Sequence, residues 1–178
     1  MPLGLFILLA VLACSNGDAV GPGDGARGRT LLVSINEIKR VSEIRYLGND
    51  LVHYLVTPSI RENELVAIKL DVHNSDATRV LMTVGTEGAV ELRGFGVDES
   101  YNHIDVSLIN SINVTTVEGT HPSENQMVPF IADPVALNGE PGLPQGHSIV
   151  GWVVFDVPKG TRLRELKWDS GDTVYVRS

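Results

Sequence analysis

The chain has 178 residues, of which 43% are hydrophobic and 20% charged, with a formal net charge of -8 and one cysteine. That balance argues against a nucleic-acid phosphate partner and against an electrostatic hold on anionic lipid. One cysteine excludes an intramolecular disulfide.

Leu3 to Ala13 carries no charge and is almost wholly apolar. As helix it would span roughly 16 Å against ~30 Å of bilayer hydrocarbon, too short to cross and suited to the apolar core of an export signal. Small Ala13 precedes the lone Cys14, and Leu9-Ala10-Val11-Leu12-Ala13-Cys14 resembles a lipobox, in which cleavage leaves the cysteine as the lipidated first residue. The sequence therefore predicts a signal peptide over 1–13 and lipidation at Cys14, so that the mature protein keeps no thiol. Residues 14–29 read as a flexible glycine-rich linker. Gly23, Gly25 and Gly28 spell G-x-G-x-x-G there, but a dinucleotide loop must follow a strand and open a helix. This one follows a lipid site and precedes a strand.

Residues 30–178 are about one domain's worth of chain, large enough to bury a core without staples. The pattern is β almost throughout. Val66, Ile68, Leu70 and Val72 alternate with Ala67, Lys69, Asp71 and His73, giving one apolar face at period two. Other strands are predicted at Leu31–Val41, Leu51–Thr57, Arg79–Val84, Ala89–Gly94, Ile104–Leu108, Ile112–Val117, Ser148–Val157, Leu163–Trp168 and Thr173–Val176. Turns fall at 48–50, 74–76, 85–88 and 169–172. Many short strands at close spacing predict an all-β sandwich or barrel. Ala132 to His147, with three prolines and three glycines, reads as an irregular loop.

Two segments carry a family resemblance. Glu64 to Asn74 is a strand pattern that ends on an asparagine at a turn. Gly146 to Pro158 places a loop glycine before a Gly-x-x-x-Phe-x-x-Pro run made by Gly151, Phe155 and Pro158. Together they resemble the telokin-like, immunoglobulin-like extracellular domain of unknown function common in bacterial lipoproteins. The resemblance implies an immunoglobulin-like β-sandwich in the cell envelope, with no catalytic residues to carry over. On the strand itself, Val153, Phe155 and Val157 should face the core, and Pro158 should end the pairing because it has no N–H to donate. Gly151 leaves room for a close neighbour or a bulge.

No Gly-x-Ser-x-Gly elbow, His-Glu-x-x-His pair or phosphate-cradling lysine loop occurs. His53, His73, His103, His121 and His147 are too far apart in sequence to suggest a zinc site, and Asn74-x-Asp76-x-Thr78 has Arg79 where a calcium loop needs glycine. Trp152, Val150 and Val154 share a face too apolar for plain solvent. Either the 132–147 loop or a neighbouring strand covers it, or it is an interaction surface.

The sequence thus predicts a non-catalytic binding or scaffolding module, held to the membrane through its lipid, with an envelope protein as partner and no cofactor. The alternatives are a small-ligand or metal-binding envelope protein and a protease-inhibitor-like module.

Overall fold

A computed structural model describes residues 18–48, 50–108, 111–117, 127–135 and 139–177. Cys14, the signal segment and His121 lie outside the described residues. Among the described residues every regular element is a strand.

Four strands form the central sheet in the order β1 (Gly25–Arg27), β2 (Leu31–Val41), β5 (Asn63–Asn74), β11 (Ser148–Pro158), all antiparallel. A second sheet runs β13 (Thr173–Val176), β12 (Leu163–Asp169), β7 (Val90–Gly94), β8 (Ser100–Asn102). The main core lies between them. Leu31, Val33 and Ile35 of β2, Val66 to Val72 in alternation on β5, and Val153, Phe155 and Val157 meet Leu92, Leu166, Trp168 and Val176 of the second sheet. This is a β-sandwich, its inward residues alternating with outward polar ones as two packed sheets require.

A third sheet, β3 (Ile44–Leu47), β4 (His53–Val56) and β9 (Val114–Val117), packs on the other face of the central sheet. Its Ile44, Tyr46, Tyr54, Val56 and Val114 close a second core over Leu65, Ala67, Trp152 and Val154. Part of β5 and β11 is therefore buried on both faces, which is why Leu65 to Ile68 and Gly151 to Phe155 read as continuous apolar runs rather than alternating ones. Asp156 ties the third layer down by accepting from the Ser59 N–H and from the amides of Asn63 and Asn113 at 2.7–3.0 Å. Burial alone would raise its pKa, but those hydrogen bonds together hold it below the ordinary carboxylate value.

Several expectations need correction. The packed domain begins before residue 30: Val20 is buried, the Leu163 N–H donates to Asp18, and β1 pairs with β2 inside the segment read as linker. Gly28 serves close packing there, since a Cβ on it would fall 2.4 Å from an Asp172 oxygen. Ile104–Leu108 is irregular, although Ile104 and Val106 pack on the second core, and β8 forms just before it. The strand expected over Arg79–Val84 shortens to β6 (Arg79–Val80). The 132–147 loop is partly regular, because β10 (Leu143–Pro144) pairs with β6 and Val135 bridges Pro141.

Candidate functional site

The sequence-predicted patch of Trp152, Val150 and Val154 is divided by the third layer. Trp152 and Val154 are 4% and 1% exposed, enclosed with Met127 and Phe130, and cannot form an open surface. Val150 alone is accessible, at 43%. The reason is the length of β11, which runs beyond the third sheet at its N-terminal end.

β11 is the edge of the central sheet, and short extended segments cap parts of that edge. The Trp152 N–H donates to the Pro129 carbonyl at 2.9 Å, and the Ile131 N–H donates to the Trp152 carbonyl at 3.0 Å. Two residues on, the Ile104 N–H donates to the Val154 carbonyl at 2.7 Å. Gly151 makes the first crossing feasible. A Cβ there would sit 2.9 Å from both the Ile131 nitrogen and the Pro129 oxygen, so the glycine provides for the close neighbour its position suggested.

Between these two caps lies a cavity of about 250 Å³ lined by His103, Asp105, Ser107, Asp133 and apolar side chains including Trp152. Its polar groups are already engaged. Asp105 accepts from the backbone and hydroxyl of Ser107 at 2.9 and 2.6 Å, and Asp133 accepts from the Val84 N–H at 2.5 Å. Burial pushes the His103 pKa below the ordinary imidazole value, outweighing the Val90 and Val84 carbonyls and Asp105. Its Nδ1 lies 3.4 Å from the Val90 carbonyl. No hydroxyl among the described residues bonds to His103, so a nucleophile and base are not assembled there.

Beyond the Pro129–Ile131 cap, the edge at Ser148–Val150 opens into a groove of about 640 Å³. Its far wall is Pro134, Val135, Gly142 and Leu143. That wall is pinned in two ways. The buried Asn74 side chain donates to the carbonyls of Ala77 and Leu143 at 2.8 and 2.9 Å, and Arg79 holds Glu140 at 2.5 Å and the Pro141 carbonyl at 3.2 Å. The asparagine that ends the central strand is thus a brace between the turn and the groove. At the groove mouth His73 Nδ1 lies 3.1 Å from Ser148 Oγ, a cross-strand pair that sequence spacing could not reveal. It is exposed, and no carboxylate among the described residues orients the imidazole, so it lacks the third member of a triad.

No cluster of three or more His, Cys, Asp or Glu suited to a metal occurs among the described residues. Comparison with protein-family models and with curated proteins gives no match. Two solved structures are similar. One is a functionally unknown protein from Listeria monocytogenes EGD-e, 9% identical, with a TM-score of 0.43, covering 85% of this chain and 74% of that one. The other is an uncharacterized β-sandwich protein from Clostridium difficile 630, also 9% identical, with a TM-score of 0.42, covering 91% of this chain and 94% of that one.

Proposed function

We propose that this chain is a lipid-anchored, extracytoplasmic binding or scaffolding module of the cell envelope, of the telokin-like, immunoglobulin-like kind. The observation that carries the binding role is the groove beside the end of β11 that no described segment caps, where apolar side chains line a strand edge while the carboxylates of the neighbouring cavity are committed to local hydrogen bonds. The two resemblance segments lie on the paired strands β5 and β11. Their Asn74 and Gly151 each have a structural task beside the groove. The anchor rests on Cys14 behind its short apolar run. Two or more acyl chains hold a protein stably, at ~0.8 kcal/mol for each buried methylene.

The test compares the full-length protein with Cys14→Ser in cells fed a radiolabelled fatty acid. Wild type should take up label, sediment with membranes through high salt and dissolve in detergent. Cys14→Ser should lose the label and leave the membrane fraction or accumulate as precursor. A Cys14→Ser protein that stays membrane-bound after proven cleavage beyond Ala13 overturns the anchor. Chemical crosslinking in the same cells should give one discrete adduct with an envelope protein, and its absence counts against the binding role.

A further inference from the structure

We propose that the open end of β11 binds an extended peptide segment of a partner protein as an added strand, centred on Val150. The idea rests on the binding role above and specifies its ligand.

β11 is antiparallel to β5, with Val150 opposite Asp71 and Trp152 opposite Lys69. In an antiparallel pair, residues whose backbone groups point at the partner strand alternate with residues whose groups point away. Trp152 bonds Pro129 and Ile131, so its N–H and C=O point away from β5. His147 bonds Asn74 beyond the start of the ladder, so the odd-numbered residues point toward β5. Val150, Trp152 and Val154 therefore form one outward row. Trp152 and Val154 are each met by an extended segment of this chain, and Val150 is met by none among the described residues.

That continuity identifies the occupant. The same edge receives extended backbone at two consecutive outward positions, and the third presents the same donor and acceptor to an open groove. A donor and an acceptor on one residue, both facing one way, are matched by the backbone of another extended chain. Main-chain bonds of this kind supply affinity, and pockets for alternate side chains supply selectivity. Here Ile131, Val135, Leu143 and Ile149 line the groove, so alternate residues of the incoming segment should be apolar. Arg79 is held by Glu140 and Pro141, which leaves no reason for an acidic segment to be favoured.

The test pans the full-length protein in detergent against phage-displayed random 12-residue peptides and measures selected synthetic peptides by fluorescence anisotropy. Enriched peptides should alternate apolar residues. Val150→Pro removes an N–H that the β5 ladder does not use, at an edge where proline is tolerated. It should weaken binding at least tenfold while the melting curve is unchanged. Tyr175→Ser, on the far sheet, should leave affinity unchanged. If Val150→Pro melts early, peptides N-methylated at alternate amides replace it and should lose affinity at least tenfold in one register only. Absence of enriched peptides, or peptides that bind Val150→Pro within twofold of wild type, overturns the proposal. So does a concentration-dependent dimer abolished by Val150→Pro, which would make a second copy the occupant. Should the peptides fail while the discrete envelope crosslink persists, the strand-addition idea falls and the binding module stands.

Discussion

Truncating Trp152 tests the three-layer architecture directly. A buried tryptophan removes roughly 150–250 Å² from water, about 4–6 kcal/mol at ~25 cal/mol per Å² as an upper bound. Trp152 is 4% exposed, packs in the second core, and has the amines of Lys39 and Lys69 at 5.2 and 6.0 Å from its ring centroid. Trp152→Ala should therefore cost about 3–5 kcal/mol, the range for emptying a buried aromatic site. Phe155 is fully buried on the opposite face of the same strand, and Phe155→Ala should cost a similar amount. In a two-layer sandwich the two costs would differ sharply. Urea denaturation followed by tryptophan fluorescence and circular dichroism gives both values, provided the m-value is unchanged. In thermal melts each should lower Tm by very roughly 6–20 °C, at about 2–4 °C per kcal/mol for a domain of this size. A Trp152→Ala cost below about 1 kcal/mol beside a full Phe155→Ala cost would mean that the third sheet does not cover this face.

Gly151→Ala should cost about 1–3 kcal/mol, because the new methyl meets backbone of Pro129 and Ile131 that no rotamer change can clear. Amide hydrogen exchange should show lost protection at Ile131 and Trp152 specifically. His103 gives a pH dependence. Its folded pKa is depressed by burial, so below the unfolded value of about 6.5 the unfolded chain binds a proton that the folded one refuses. Stability should fall as pH drops from about 7 through the folded pKa, and His103→Gln should flatten that part of a Tm-against-pH curve.

The strands that alternate over long stretches, β2 and β5, were legible because one face meets the main core and the other meets water along much of their length. β11 was legible as a strand, but its partners were not. Gly151 to Phe155 is apolar at consecutive positions, a pattern that signals burial on both sides without saying what supplies the second layer. β3 escaped notice because Ile44-Arg45-Tyr46-Leu47 offers too few residues to establish a period. Ile104 and Val106 misled in the opposite sense: alternating apolar residues also arise when an irregular segment dips two side chains into a core. The glycine-rich start looked like tether because composition cannot separate glycine that frees a chain from glycine that leaves room for a packed side chain, as Gly28 does for Asp172. The groove had no sequence signature beyond the apolar character of Val150. Among the described residues the Val150 donor and acceptor have no backbone partner, because β11 is an edge and the Pro129–Ile131 segment bonds it only at Trp152.

The chain enters the sandwich at a definite pole. The Ala19 N–H donates to the Leu163 carbonyl at 2.7 Å, and Arg40 clasps Asp18, Glu64 and the Thr161 carbonyl, all where β5 begins and β11 ends. The groove sits where β11 begins, and its 11 residues span roughly 35 Å. From Cys14 to Asp18 the backbone reaches at most about 14 Å. With Cys14 in the bilayer, the domain would stand close to the lipid on its entry pole and hold the strand edge up at the far one. A soluble or wall-associated protein could then be met without approaching the membrane, and shortening the tether would lower the recognition edge by no more than its own few residues.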